Sequence, residues 1–193
     1  MSGATERHTI VALVQDQPGV LNRVSSLFRR RGFNIASLAV GQSEQPNLSR
    51  MTFVVEGDIA TMEQVTKQLN KLIEVIKVSE LVEEEIVARE VALIKVRATP
   101  TTRSEIIQLV NIFRANIVDV GPQSLIIEIT SGEDKIDAMY NLLRPFGIRE
   151  VMRTGRIAMA RSASETRAER PRGDTPTPTK NGAEHEQTQV PYG

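Results

Sequence analysis

Thr9-Ile10-Val11-Ala12-Leu13-Val14-Gln15-Asp16-Gln17-Pro18-Gly19-Val20-Leu21 is the stretch that decides how the rest of the chain is read. Thr9 to Val14 is an almost continuous apolar run, the pattern of a strand in the middle of a sheet. Pro18 and Gly19 fall where a helix should begin. Proline loses nothing in a first helical turn, because its missing N–H would be unpaired there anyway. Glycine leaves the turn bare, so a ligand carboxylate can approach free backbone amides. Val20, Leu21, Val24, Leu27 and Phe28 then recur with a helical period. Arg29, Arg30 and Arg31 complement the dipole in the last turn, and Gly32 ends the helix before Phe33-Asn34-Ile35 opens the next strand.

Working outward, Asn34 to Val40 and Met51 to Val55 are strands joined through Gly41-Gln42-Ser43-Glu44-Gln45-Pro46-Asn47, a connection rich in turn formers. Met62, Val65, Leu69 and Leu72 align on a second helix, and a last strand covers about Glu74 to Leu81. The order is β-α-β-β-α-β, the ferredoxin-like arrangement of four antiparallel strands with both helices on one face. The other face is left free, and a partner usually covers it.

After Glu83-Glu84-Glu85 the pattern starts again. Val91 to Ala98 reads as a strand, and Pro100 precedes a helix striped with Ile106, Leu109, Val110 and Phe113. Ile117 to Val120 and Leu125 to Ile129 are strands, Ile136, Met139, Tyr140 and Leu143 mark a helix, and Ile148 to Met159 contains the final strand. The expected fold is α+β: two tandem ferredoxin-like domains, 8–82 and 90–162, joined by a linker 83–89. From Ala163 to Gly193 there is no Ile, Leu, Phe or Met, but Pro171, Pro176, Pro178 and Pro191 are present. That segment is expected to be a disordered tail, since it cannot bury enough apolar surface to offset its ordering entropy.

Composition excludes several function classes. The 24 basic and 24 acidic residues balance, so no global field draws the chain to nucleic acid or anionic lipid. Absent cysteine removes disulfides, thiolate nucleophiles and cysteine-ligated metal sites. No apolar run reaches the roughly 18 residues of a membrane span, and the first residues lack the apolar core of a secretion signal, so a cytoplasmic location is expected.

Catalytic groups are scarce. His8 is the one histidine in the two domains, at a strand start without an obvious partner, and no phosphate-binding glycine loop or clustered histidine ligands occur. The basic run Arg29 to Arg31 raises RNA binding, but Thr9 to Val14 carries no aromatic residue on which a base could stack. The turn at Asp16 to Leu21 fits either a ligand site or a plain helix start, and Asn34 fits either a ligand contact or a turn residue. Taken together they suggest a pocket at a dimer seam. Amides at Gly19 would face a carboxylate, Asp16 and a second copy's Asn34 would take an amino group, and Val20 and Leu21 would border an aliphatic side chain.

Pro18-Gly19-Val20-Leu21, Gly32-Phe33-Asn34-Ile35-Ala36-Ser37-Leu38, Leu48-Ser49-Arg50-Met51-Thr52 and Lys67-Gln68-Leu69-Asn70-Lys71-Leu72 resemble, in that order, the ACT domain of the small regulatory subunit of acetolactate synthase. The resemblance continues through Arg89 to Val96 and Phe113 to Val120 and ends near Arg161, leaving out only the tail. It implies an ACT domain at 8–82, an ACT-like regulatory domain at 90–162, and a subunit that is not an enzyme on its own. Such a subunit binds the catalytic large subunit, raises its conversion of two pyruvates to 2-acetolactate, and confers feedback inhibition by valine or a related branched-chain amino acid. Thiamine diphosphate, Mg2+ and, where used, FAD belong to the catalytic subunit; no cofactor or metal is expected in this chain. The resemblance also implies a homodimer through ACT domains, with higher oligomers open, and no nucleic acid or membrane partner. Its effector contacts carry over to Asp16, Gly19, Val20 and Leu21 of one copy and Asn34 and Ile35 of the other. Relatives often have Asn at the position of Asp16, so the extra carboxylate here either strengthens the hold on an ammonium or weakens that on a carboxylate. The alternatives are a stand-alone amino-acid-sensing ACT protein, which would need a DNA-reading element, and a structural assembly module.

Overall fold

The structure, a computed structural model, describes residues 6–162. The tail expected at 163–193 lies outside the described residues. The first domain consists of β1 (Glu6–Gln15), α1 (Val20–Arg31), β2 (Asn34–Gln42), β3 (Leu48–Gly57), α2 (Ile59–Leu69) and β4 (Val75–Leu81). Its sheet has the order β2-β3-β1-β4 with every neighbouring pair antiparallel, so β2 and β4 are the edges. Alternation sends Ile10, Ala12 and Val14 of β1 and Met51, Phe53 and Val55 of β3 to one face. There they meet Val20, Val24, Leu27 and Phe28 of α1 and Met62, Val65 and Leu69 of α2. Phe53 stacks on Phe28 with ring centroids 5.3 Å apart. Asp58 starts α2 by accepting the Thr61 N–H at 2.8 Å, and Gly32 stops α1 in the left-handed conformation at φ +69°.

The second domain repeats the plan with β5 (Ile86–Arg97), α3 (Arg103–Ile112), β6 (Asn116–Val120), β7 (Ser124–Ser131), α4 (Glu133–Leu143), β8 (Ile148–Arg153) and β9 (Ile157–Ala160). Its sheet order is β6-β7-β5-β8, over a core that includes Ile94, Val96, Ile106, Ile127, Ile136 and Met139. Two boundaries differ from the sequence reading. Residues 83–89 do not form a free linker: Glu83–Glu85 is a single 3-10 turn, and Ile86–Arg89 is the first part of β5. The final strand is two strands, β8 and β9, separated by Thr154-Gly155-Arg156. Both differences have one cause. Ile86 to Arg89 pairs with Ala160 to Ile157 in an arm that extends beyond the sheet, a pairing between segments far apart in sequence.

The face of the first sheet turned away from its helices is partly covered. Thr9, Val11, Thr52 and Val54 alternate with the core residues, so they point to that face, yet none is more than 7% exposed. The β5–β9 arm and the corner at 154–156 belong to this face. The Arg156 guanidinium bonds Thr9 Oγ1 at 3.2 Å, Glu83 at 3.0 Å and Glu133 at 3.0 Å, which ties both domains to the connection between them. The partner expected over the free sheet face is, in part, the second half of the same chain.

Glu90 lies at this junction and is 8% exposed. Burial holds its carboxyl above the usual range, the Arg153 guanidinium opposes that, and Glu133 and Asp137 add to the rise. The folded chain therefore binds this proton more tightly than the unfolded one. Stability falls as pH rises from the ordinary carboxyl value of 4.5 through the raised folded value, and the penalty is complete above it. Glu90→Gln is expected to melt above the parent at neutral pH, with the gap closing below about pH 4.5. Circular-dichroism melting curves at the two pH values check this.

Candidate functional site

The turn between β1 and α1 is held from two sides. Gln15 N–H donates to the Glu74 carbonyl at 2.8 Å, and Asp16 N–H donates to the Asn47 carbonyl at 2.8 Å. Glu74, 7% exposed, also pairs its carboxylate with the Arg23 guanidinium one turn into α1. Asn47 is itself in the left-handed region at φ +61°. These supports come from the β2–β3 connection and from the entry to β4, so no local pattern in the sequence announces them.

Within the turn, Gly19 is the residue that caps α1, and Pro18 stands just before the helix rather than in its first turn. The reason is conformational. Gly19 has φ +90°, a value that proline cannot adopt and other L-residues rarely do. No side chain caps this helix start, and the ladder begins only with Arg23 N–H on the Gly19 carbonyl at 3.0 Å. The Val20 N–H reaches back to the Gln17 carbonyl at 3.4 Å, and the Leu21 and Asn22 amides of the first turn are left for water or a ligand. A Cβ built at Gly19 would meet no atom within 4 Å, so the space in front of the turn is open. Asp16 and Gly19 are exposed, Leu21 is 45% exposed, and Val20 is 4% exposed. Val20 is a core residue beside Val24 and Phe28, so its side chain does not border the space in front of this turn as the sequence reading expected.

The second domain offers a direct comparison. At its corresponding turn, Thr99 N–H bonds Thr102 Oγ1 at 3.0 Å and Thr102 N–H bonds Thr99 Oγ1 at 3.3 Å. That turn closes on its own hydroxyls. The first does not.

Asn34 and Ile35 open β2. Asn34 Nδ2 donates to Glu56 at 2.6 Å, a cross-strand pair repeated by Asn116 and Glu128 at 3.4 Å in the second domain. The structure does not bring Asn34 to Gly19 within one chain. Asn34 pairs with Glu56, while Gln15 pairs with Leu48 at the other end of β3. That separation is about 26 Å along the sheet. His8, expected without a partner, is half-buried with Nδ1 3.4 Å from Glu80 on the neighbouring strand β4.

Among the described residues no group of three or more His, Cys, Asp or Glu side chains could hold a metal ion. No helix among them is long and apolar enough to cross a membrane.

Residues 89–162 match the family described as the small subunit of acetolactate synthase, and residues 10–77 match the AHAS small subunit-like ACT domain. A probable acetolactate synthase small subunit of Archaeoglobus fulgidus is 60% identical over 155 residues, covering 80% of this chain and 97% of that protein. The acetolactate synthase small subunit of Mycolicibacterium smegmatis is 56% identical over 161 residues, covering 83% of this chain and 95% of that one. The crystal structure of the acetolactate synthase small subunit from Thermotoga maritima superposes with a TM-score of 0.77 at 48% identity, covering 81% of this chain and 98% of that chain. The open helix start of the first domain, the self-closed one of the second and the repeated βαββαβ plan thus occur in a chain that belongs to the acetolactate synthase small-subunit family, with an ACT domain in its first half.

Proposed function

We propose that this chain is the regulatory subunit that docks on a thiamine-diphosphate-dependent catalytic subunit, raises its acetolactate synthase activity, and lowers it again when valine or a related branched-chain amino acid binds. The effector sits at a seam between the first domains of two copies. One observation carries this reading: the two halves of the candidate site lie at opposite ends of β1–β3–β2, and β2 is an edge. A second copy running antiparallel along β2 and centred on Leu38 sets its Asn34 opposite Gln42. Gln42 pairs with Ser49, one step from the Leu48–Gln15 pair beside the turn. Such a neighbour would join the halves.

The chemistry of the edge supports the same arrangement. Asn34–Gln42 carries no charged residue over 9 positions. The other edges are guarded by Lys77 and Glu80 in β4, Asp119 in β6, and Arg149, Glu150 and Arg153 in β8, apart from the four-residue β9. An unguarded edge is a template for pairing with another chain. At the seam, the α1 amides and dipole would meet the effector's carboxylate. With Asn34 Nδ2 engaged by Glu56, its Oδ1 is left to accept from the ammonium, together with Asp16. Leu21 and Ile35 would border the aliphatic side chain.

Inhibition is a population shift: the effector stabilises one arrangement of the paired domains, and the catalytic subunit binds the two arrangements unequally. A coupling of ~1–3 kcal/mol changes activity about five- to 150-fold. The test is acetolactate formation from pyruvate, thiamine diphosphate and Mg2+ by the catalytic subunit of the same organism, with and without this chain. The chain alone is expected to give no product, to raise the partner's rate when added, and to restore a low rate when valine, leucine or isoleucine is present. Turnover by the chain alone, or no effect on the partner, overturns the reading.

A further inference from the structure

The ladder between β2 and β3 slips close to the effector contacts. It runs Asn34–Glu56 and Ile35–Val55, then resumes at Ser37–Val54, so Ala36 is an extra residue on β2. Such bulges raise the local twist and re-aim neighbouring side chains. The slip belongs to the fold, since β6 repeats it between Ile117 and Asp119. What distinguishes β2 is the grip on it. Ser37 Oγ accepts the Arg156 backbone N–H at 2.8 Å. The preceding residue, Gly155, has φ +80°, and a Cβ there would lie 2.8 Å from Ser37 Oγ and 3.0 Å from the Leu38 carbonyl oxygen. No side chain fits between the two backbones.

The corner that holds β2 is itself fixed. Thr154 N–H bonds the Val91 carbonyl at 3.1 Å, and Thr154 Oγ1 accepts the Val91 N–H at 3.2 Å. The Arg156 side chain is 15% exposed, and its guanidinium is shared between Thr9, Glu83 and Glu133. Ser37 therefore rests on a rigid part of the second domain, two residues from Ile35.

We infer that the Thr154–Arg156 corner is a positioning element of the effector seam. By holding Ser37 it steadies the bulge beside Asn34 and Ile35 and so their aim at the second copy's turn, and an effector bound there tightens the corner in return. This rests on the reading that Asn34 and Ile35 contact a branched-chain amino acid. Coupling of this kind is reciprocal by thermodynamic necessity, so it can be read from either end. It also supplies a route by which the second domain registers occupancy of a site that it does not line.

The experiment uses the full chain, calorimetry with valine, leucine and isoleucine, and amide hydrogen exchange over 150–160. Ser37→Ala removes the acceptor and is expected to weaken binding about three- to tenfold, the worth of one hydrogen bond. Ser37→Thr keeps the hydroxyl and is expected to restore it. Gly155→Ala forces the two backbones apart and is expected to weaken binding more. In the parent, the amino acid should slow exchange at Arg156 and Val91, a response that a merely structural contact would not give. Binding unchanged in both Ala variants, or exchange at the corner indifferent to the amino acid in the parent, overturns the inference while leaving the effector site standing. A parent that binds none of the three amino acids overturns both.

Discussion

Gly19→Asp is expected to abolish feedback inhibition while leaving activation of the catalytic subunit in place. The new carboxylate would occupy the open space before α1 and take up the free amides that an effector carboxylate needs. Losing charge-assisted hydrogen bonds of ~1.5–3 kcal/mol raises the half-inhibiting concentration about ten- to 150-fold, before any repulsion between the two anions is counted. A backbone effect accompanies it. A side chain at φ +90° costs ~1–2 kcal/mol, which Gly19→Ala carries without the charge. The pair of variants separates the two causes: Ala should lower thermal stability more than Asp, whose carboxylate caps the helix, yet retain most of the inhibition. Inhibition curves and melting temperatures for both proteins provide the check. Equal loss of inhibition in the two would assign the effect to the backbone instead.

If two copies pair along β2 as proposed, Val40→Pro is expected to leave the chain monomeric at micromolar concentration, where the parent is dimeric, and to remove effector binding with it. Ser43 N–H bonds the Leu48 carbonyl at 2.9 Å, and antiparallel pairs alternate from there. Gly41–Arg50 and Ala39–Thr52 are therefore the pairs that exchange ladder bonds, and the Val40 N–H points away from β3. Proline at this position deletes a donor that the chain does not use internally but that a β2–β2 seam needs. Val40 is 48% exposed, so its side chain supports little of the core. Light scattering gives the mass, and far-ultraviolet circular dichroism shows whether the fold survives. A variant that stays dimeric places the seam elsewhere and removes the physical basis for a site shared between copies.

Much of the fold was legible because its signals are local. The stripe Val20, Val24, Leu27 and Phe28 reports helix α1, and the run Thr9 to Val14 reports a strand with a neighbour on each side, as β1 proves to be. The turn before α1 was legible as a turn for the same reason, since a Pro-Gly pair between strand and helix constrains only its own few dihedrals. Two of the misreadings involve partners distant in the chain, and the third a single backbone angle. Ile86 to Arg89 looked like a linker because its ladder partner is Ile157 to Ala160. Pro18 was read inside the helix because nothing in its neighbourhood reveals that Gly19 takes φ +90°. His8 lacked a visible partner because Glu80 reaches it only through the β1–β4 ladder.

The sequence by itself determined two βαββαβ repeats, the absence of cysteine, and a family membership carried by motifs in order. Periodicity, composition and turn chemistry are properties of neighbours along the chain, so a one-dimensional reading captures them. Tertiary structure alone decided that the turn before α1 is held by the Glu74 and Asn47 carbonyls. It also decided that Arg156 and Gly155 of one domain grip Ser37 of the other, and that Gly19 and Asn34 stand at opposite ends of one sheet. Those outcomes depend on register, on the sign of φ and on which backbones approach within hydrogen-bonding distance. Such quantities exist only once segments far apart in sequence have packed together.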